Sequence, residues 1–199
     1  MSNFIDTINL YMNKRGKYEV LGEYMMEYSI NRNLIILGAG GHGHVVKEVA
    51  EAMGIFDKID FLDDNSIEAI GLCSDNEKFV EEYTYAIPAF GNNKLRMEWI
   101  ERLEKNSFKI PTLIHPTSYI SPSATVHSGS VIEAKAVINT NTKVEKGCII
   151  SVGSIIDHDA VINLGCHVDC GAVVKSYSVI APLSKIHSDE VIKYDNLSK

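Results

Sequence analysis

The chain has 199 residues, 45% of them hydrophobic and 23% charged, and a formal net charge of −7. This balance suits one or two globular domains and argues against a nucleic-acid-binding surface. No apolar run approaches the ~20 residues of a membrane span, so neither nucleic acid nor membrane is an expected partner. The four cysteines lack metal-binding spacing, so we expect buried, reduced thiols and no metal site. No N-terminal run has the pattern of a signal peptide, so we expect a cytoplasmic location.

The first 32 residues are predicted to form a helical appendage. Apolar side chains from Phe4 to Met12 recur at helical spacing, and a second short helix is predicted from Val20 to Tyr28. We expect this appendage to serve packing or contacts between subunits.

Strands and helices alternate from residue 33 to residue 115, which predicts a small Rossmann-like parallel α/β domain. The predicted strands are NLIIL, KIDFLDDN with its acidic end, TYAIPAFGN up to Gly91, and FKIPTLIHP. Helices are predicted after the first strand and over residues 93–106. The first helix is expected to turn Val45, Val46, Val49 and Met53 inward, and the apolar row of the second is Leu95, Trp99 and Leu103.

A glycine turn and an acidic strand end suggest a binding site in this domain. Gly38, Gly40 and Gly43 follow the G-x-G-x-x-G pattern between a predicted strand and a helix, where backbone N–H groups can face a phosphate. Asp63 and Asp64 end the next strand, and a carboxylate there can accept hydrogen bonds from a ribose or a base. A solvated acidic turn is the alternative. An NAD-dependent oxidoreductase shares the fingerprint, but ~80 residues are too few for a full dinucleotide-binding fold.

Residues 116–199 repeat with a period of six, which predicts a parallel β-helix with three hexapeptides in each coil and about four coils. Four residues after each inward aliphatic stands a small side chain, until Glu190 marks a polar last coil. The inward aliphatics are Ile120, Val126, Ile132, Ile138, Val144, Ile150, Ile156, Ile162, Val168, Val174, Ile180, Ile186 and Ile192.

One acidic and basic cluster stands outside this inward set. Asp157, His158 and Asp159 follow Ile156 and therefore lie on the wall and corner of a coil. A histidine suits proton removal near neutral pH, and a neighbouring carboxylate orients the ring and stabilises the imidazolium. The cluster is therefore a candidate for general base catalysis.

The hexapeptide repeat resembles the left-handed β-helix acyltransferases. Together with ILGAGGHG, FLDD, FGNNKLR, LIHPTSYISPSA and IIDHDAVI, it resembles the branch of the UDP-4-amino-sugar N-acetyltransferases and sialic acid O-acetyltransferases, of the PglD and NeuD type. The resemblance implies a left-handed β-helix, a homotrimer, and acetyl-CoA bound between neighbouring subunits. It also implies transfer of the acetyl group to an amino or hydroxyl group of a sugar or UDP-sugar, without an acyl-enzyme.

The resemblance also implies roles for individual residues. His158 is the implied general base, Asp159 supports it, and Asp157 contacts the substrate. Ser176 stands one coil from His158, where the family has a glycine that donates a backbone N–H to the oxyanion, and His167 is implied to contact acetyl-CoA. The implied substrate-binding residues of the α/β domain are Gly38, Gly40, Gly41, His42 and Gly43 for the diphosphate, Asp63 and Asp64 for the uridine, and Gly91 and Asn92 along the lining.

A second hypothesis belongs to another functional class. Family members continue for further coils and a loop that holds the adenine end of CoA, whereas this sequence ends at Lys199. A trimeric sugar-nucleotide-binding or scaffold protein that has lost the reaction would fit that ending. The intact Asp157, His158 and Asp159 favour the enzyme.

Overall fold

The computed structural model describes residues 31–194 and two short strands near the N-terminus. These are β1 (Leu10–Met12) and β2 (Tyr18–Val20), which pair antiparallel with Leu10 opposite Val20. The predicted helical appendage is wrong for these residues, in which Tyr11, Tyr18 and Val20 favour strands. The other positions of the two predicted helices lie outside the described residues.

Three parallel strands and two helices form the α/β part. The strands are β3 (Asn33–Leu37), β4 (Lys58–Leu62) and β5 (Tyr85–Pro88), in the order β4-β3-β5. Helix α1 (Gly41–Met53) follows β3, a 3-10 helix spans Cys73–Phe79, and α2 (Asn93–Lys105) follows β5. The first three predicted strands are therefore confirmed in kind and order, although β4 ends at Leu62 and β5 at Pro88, both earlier than predicted.

The inward faces of both helices differ in part from the prediction. In α1 the buried residues are Gly43, Val46, Val49 and Ala50, while Val45 is exposed. In α2 Leu95 is exposed, and Arg96, Ile100 and Leu103 are buried. An apolar row at i, i+4 and i+8 drifts around a helix of 3.6 residues per turn, so its first member turns away from the core.

Fourteen two-residue strands form the three parallel sheets of a β-helix. Within each sheet, neighbouring strands come from successive coils. Sheet 1 contains β6 (Leu113–Ile114), β9 (Val131–Ile132), β12 (Ile149–Ile150), β15 (His167–Val168) and β18 (Lys185–Ile186). Sheet 2 contains β7 (Tyr119–Ile120), β10 (Val137–Ile138), β13 (Ile155–Ile156), β16 (Val173–Val174) and β19 (Val191–Ile192). Sheet 3 contains β8 (Thr125–Val126), β11 (Lys143–Val144), β14 (Val161–Ile162) and β17 (Val179–Ile180).

The six-residue period has its predicted meaning. Ile138 pairs with Ile156 and Ile156 with Val174, so one coil takes eighteen residues. The aliphatics from Ile132 to Ile186 form one buried cluster, against which the terminal members Ile120, Val126 and Ile192 pack. The small side chains between them are also buried, among them Cys148 and Cys166. Within the described residues the four thiols are free, and Cys170 is exposed rather than buried as expected.

The last strand predicted for the α/β part belongs elsewhere. In FKIPTLIHP, Lys109 forms a single bridge with Tyr85 of β5, whereas Leu113–Ile114 is β6 and pairs with β9 of the β-helix. Pro111 between them has no N–H and cannot continue a ladder. Helix α1 contacts β6, where the Ile114 N–H lies 3.3 Å from Met53 Sδ. In the part of the chain that the structure describes, no helix is both long and apolar enough to cross a membrane.

Candidate active site

The glycine turn is built by close packing and one carboxylate. Gly38 has φ 102°, and a Cβ on Gly43 would collide with the Gly38 carbonyl oxygen, so α1 can begin this close to β3 only with glycine at both positions. The Ala39 N–H donates to Asp63 Oδ2 at 2.8 Å, while Asp63 Oδ1 accepts the Asn65 and Ser66 N–H groups. These backbone donors, Ala39 first, lower the pKa of Asp63. Asp63 thus shapes the turn.

The other predicted residues of this part stand on the same edge of the sheet. Asp64 Oδ1 accepts the Cys73 N–H at 3.0 Å, and the Asn92 side chain caps α2 by accepting the Leu95 N–H at 2.9 Å. Gly40, Gly41 and Gly91 are exposed, with no atom near the place of a side chain. Since the three strands are parallel and adjacent, their carboxyl ends collect these groups along one edge, where ligands of such sheets bind.

Asp157, His158 and Asp159 lie on a corner of the β-helix, where the chain leaves β13 of sheet 2 for β14 of sheet 3. His158 Nδ1 and Asp159 Oδ2 are 2.8 Å apart, and Asn141 Nδ2 donates to Asp159 Oδ1 at 3.1 Å. Asp157 Oδ1 accepts the His158 backbone N–H at 2.8 Å. The His158 ring lowers the pKa of Asp159, and the His158 N–H lowers that of Asp157. Both acids are therefore carboxylates at neutral pH.

The hydrogen bond to Asp159 defines what the His158 ring can do. With Nδ1–H donating to a carboxylate, Nε2 carries the free lone pair and can accept a proton. The His158 side chain is 42% exposed, so this lone pair is open to a substrate.

Ser176 lies one coil from His158 on the same corner, because β16 pairs in register with β13. At equivalent corner positions Asn139 and Asp157 accept the N–H of the next residue with their own side chains. Lys175 takes that position before Ser176, and an ammonium accepts no hydrogen bond. The Ser176 N–H is thus not occupied in this way. We call Asp157, His158, Asp159 and Ser176 the His158 corner.

His167 is in a different environment, on the outer face of sheet 1 beneath the start of α1. Its ring centroid lies 6.4 Å from that of His42, and its Nε2 lies 3.2 Å from Ser151 Oγ and 4.0 Å from Asp169. His42 Nδ1 lies 3.9 Å from Glu133, whose other oxygen accepts the Val152 N–H. We call His42, Glu133, Ser151, His167 and Asp169 the junction cluster.

Burial controls the charges in the junction cluster. Desolvation, followed by the charge of His167, lowers the pKa of His42 to about 4, and desolvation followed by Lys185 lowers that of His167 to about 4. Desolvation raises the pKa of Glu133. Within the described residues, His42 Nε2 and His167 Nδ1 are buried without a hydrogen-bond partner. Both imidazoles are therefore neutral at physiological pH.

Arg96 joins the α/β part to the β-helix, a role that was not predicted from the sequence. Arg96 is 1% exposed, and its guanidinium donates to the carbonyl oxygens of Gly147, Gly165 and Phe90 at 2.8–2.9 Å. Asn93 Nδ2 donates to the Leu183 carbonyl of the next coil at 2.9 Å. The quoted FGNNKLR segment thus docks α2 on a corner of the β-helix. A charged residue in a predicted helix is usually exposed, so Arg96 by itself gives no sign of burial. The sequence marks the FGNNKLR segment only as a motif of the family resemblance.

The predicted residues fall in three places. The strand ends collect the glycine turn with Asp63, Asp64, Gly91 and Asn92, and the turn brings His42 against His167. The His158 corner lies between sheets 2 and 3, whereas His167 is on sheet 1. A single chain therefore does not bring His158 and His167 together.

Comparisons with known proteins agree with this architecture. Residues 33–103 match the family described as the PglD N-terminal domain. The chain is 35% identical to the acetyltransferase domain of PglB from Neisseria gonorrhoeae FA1090, solved in complex with acetyl coenzyme A, with a TM-score of 0.77, covering 81% of this chain and 82% of that one. It is also 35% identical over 112 residues to the UDP-N-acetylbacillosamine N-acetyltransferase of Bacillus subtilis (strain 168), 52% of each chain. That match spans about half the length of the curated relative.

A more distant structure shows the same fold. The perosamine N-acetyltransferase from Caulobacter crescentus, in complex with CoA and GDP-perosamine, is 20% identical, with a TM-score of 0.65 over 80% of this chain and 90% of that one. A parallel α/β unit followed by a left-handed β-helix of about four turns defines a hexapeptide-repeat acetyltransferase fold. The chain belongs to the PglD-like branch of these proteins, and the resemblance seen in the sequence is confirmed.

Proposed function

We propose that this protein transfers the acetyl group of acetyl-CoA to the amino group of a UDP-linked amino sugar. The main support for this proposal is the 2.8 Å contact between His158 Nδ1 and Asp159 Oδ2 on an exposed corner of the β-helix. It fixes the tautomer that accepts a proton at Nε2. The PglB domain bound to acetyl coenzyme A and the Bacillus N-acetyltransferase support this choice of donor and of an amine acceptor.

His158 acts as the general base in this proposal. As the neutral sugar amine attacks the thioester carbonyl, His158 Nε2 takes an amine proton and Asp159 stabilises the resulting imidazolium. The tetrahedral oxyanion collapses with cleavage of the carbon–sulfur bond, and the imidazolium returns its proton to the CoA sulfur. No acyl-enzyme forms.

The oxyanion is stabilised by a backbone N–H. Ser176 stands one coil above His158, and its N–H is not occupied by the preceding Lys175 side chain. A fixed N–H donor one coil, about 4.8 Å, from the base can stabilise the developing oxyanion.

The sugar nucleotide is proposed to bind at the carboxyl edge of the α/β sheet. Gly40 and Gly41 leave space at the N-terminus of α1, whose free N–H groups favour a diphosphate. Asp64 is exposed beside them and offers hydrogen-bond acceptors to the uridine, and Gly91 and Asn92 complete the lining. Asp63 contributes mainly by holding the turn.

A homotrimer is proposed because one chain leaves the site incomplete. The outer positions of sheet 2 are apolar throughout, and Tyr119, Ile155 and Val191 are exposed there. This face ends at the His158 corner, so a second copy packed on it would form the other wall of an acetyl-CoA groove. The neighbour's sheet 1 side, with His167, would then be available to the same groove. Sedimentation should show trimers, and Ile155→Glu should shift them to monomers without turnover.

The direct test is an acetyl-transfer assay. The purified full chain is incubated with acetyl-CoA and a UDP-linked 4-amino sugar, and both CoA release and the gain of one acetyl group on the sugar are measured. His158→Ala should lower turnover by roughly 100–10,000-fold. His127→Ala, a change of another exposed histidine of the β-helix, should leave turnover unchanged.

Changing the acceptor sugar in the same assay distinguishes an N-acetyltransferase from an O-acetyltransferase and from a scaffold protein. A matched sugar with a hydroxyl in place of the amine should not be acetylated, and its acetylation would favour an O-acetyltransferase. Binding of the UDP-sugar without any acetyl transfer would favour the scaffold hypothesis. An active His158→Ala protein would show that the base is elsewhere.

A further inference from the structure

Tyr177, next to the proposed oxyanion donor, has an unusual backbone conformation. Its φ is 63°, in the left-handed region that large aromatic residues rarely adopt. On the same corner of the two preceding coils that conformation is adopted by Asn141 and Asp159, which tolerate it well. A glycine at position 177 would remove the strain, so the tyrosine side chain must contribute something that the turn itself does not require.

The Tyr177 ring contacts the histidine of the proposed active site. Its centroid lies 5.3 Å from that of His158 with the ring planes at 88°, an edge-to-face contact. Its N–H donates to the His158 carbonyl oxygen at 3.3 Å. On its other side Tyr194 packs at 6.2 Å between centroids. The tyrosine is nevertheless 54% exposed, so burial of its own surface does not explain the conformation.

Leu183 shows what the same conformation looks like where packing explains it. It has φ 61° at the equivalent position of another corner. Its Cδ2 lies 2.8 Å from the place where a Cβ on Gly165 would stand, so it covers the glycine of the preceding coil. Tyr177 instead lies against His158.

We propose that Tyr177 is a positioning residue, which holds the His158 ring so that its Nε2 faces the acyl carbonyl beside the Ser176 N–H. This inference rests on the proposed function and deepens it. The hydrogen bond to Asp159 holds the ring at one atom, Nδ1, so the ring can still tilt through its own side-chain torsions. The edge-to-face contact with Tyr177 restricts that tilt, and the two contacts together favour one orientation.

The test separates the ring from the backbone. Tyr177→Gly and Tyr177→Asn remove the ring but suit the left-handed conformation, and Tyr177→Phe keeps the ring. The Gly variant is expected to melt about 2–4 °C higher, since strain is relieved, yet to lose about 10–100-fold in kcat with KM for acetyl-CoA within about twofold. The Asn variant should lose the same activity, and the Phe variant should restore it. Leu183→Asn is the matched control and should leave kcat unchanged.

A second readout needs no turnover. The ring nitrogen shifts of His158, assigned by comparison with His158→Ala, should report one well-defined ring environment in the wild type and an averaged one in Tyr177→Gly. Full kcat in the Gly and Asn variants, or an equal loss in Leu183→Asn, would overturn the proposal, as would an unchanged His158 spectrum. If the wild type transferred no acetyl group but the His158 spectrum still depended on Tyr177, the proposed function would fail and the positioning contact would stand.

Discussion

The junction cluster and the His158 corner use the same kinds of side chain in opposite environments. In the junction cluster His42 and His167 are mostly buried, beside Glu133 and Asp169, and their pKa values fall to about 4. At the corner His158 is 42% exposed and hydrogen-bonded to Asp159. Composition alone would not separate the two groups.

The two environments differ in whether the histidine can exchange protons. An imidazole that burial keeps neutral can donate or accept a hydrogen bond, but protonating it costs its desolvation energy. An exposed imidazole with a carboxylate partner can take a proton and return it. The junction is therefore suited to hold a shape and orient a ligand, and the corner is suited to catalysis.

Among changes that keep the His158 ring, Asp159→Asn should have the largest effect on turnover. The amide would donate to His158 Nδ1, so the ring would carry its proton on Nε2 and could not act as a base. We expect turnover to fall roughly 100–1,000-fold, about 3–4 kcal/mol in the barrier, with an unchanged melting temperature. Asp189→Asn, which changes another aspartate of left-handed conformation at φ 58°, is the control. Equal losses in both variants would count against the assignment.

Arg96→Met should have the largest effect on stability. The guanidinium satisfies carbonyl oxygens of two coils and of the Phe90 loop, and methionine would leave these acceptors buried without donors. We expect a loss of roughly 3 kcal/mol in the free energy of unfolding, measured by urea denaturation. Lys94→Met changes an exposed side chain of the same helix and should lie within about 0.5 kcal/mol of the wild type. A similar small loss for Arg96→Met would show that the docking of α2 depends on other contacts.

The two regions also differ in how far the sequence predicts them. The core of the β-helix follows from the period of six, because each inward position is determined by its own coil and those next to it. The His158 corner follows from the same register. The junction depends on contacts distant in sequence, such as Arg96 with Gly165 and His42 with Glu133, for which no local pattern exists. The strand Leu113–Ile114 belongs to the β-helix and not to the predicted α/β part for the same reason, since its partner Val131–Ile132 lies one full coil further along the chain.

Acid should destabilise the protein through the junction. A histidine whose folded pKa is lowered contributes full stability above its unfolded value near 6.5 and loses it as pH falls toward about 4, because the unfolded chain takes up the proton first. The loss is on the order of 2–3 kcal/mol for each of the two histidines between pH 6.5 and 4. His42→Gln with His167→Gln should flatten that slope, whereas His187→Gln, at an exposed position, should not. Parallel slopes in all three proteins would contradict neutral rings at the junction.

Glu133→Gln is expected to have the smallest effect on the free energy of unfolding. It tests whether burial penalises the ionised carboxylate in the junction cluster. Desolvation raises the pKa of Glu133 although its carboxylate accepts the Val152 N–H, so burial penalises the ionised form. The stability linked to a raised pKa is present below the ordinary value for glutamate and is lost as pH rises through the folded value. Glutamine keeps the acceptor for Val152 and stays neutral, so it should stabilise the fold by roughly 0.5–1 kcal/mol at pH 7 and by less at pH 4. Glu145→Gln, on a half-buried side chain, is the control for the substitution itself. Destabilisation of Glu133→Gln at pH 7 would mean that the Glu133 carboxylate is paired with a protonated His42 imidazole. The junction would then depend on charge as the His158 corner does.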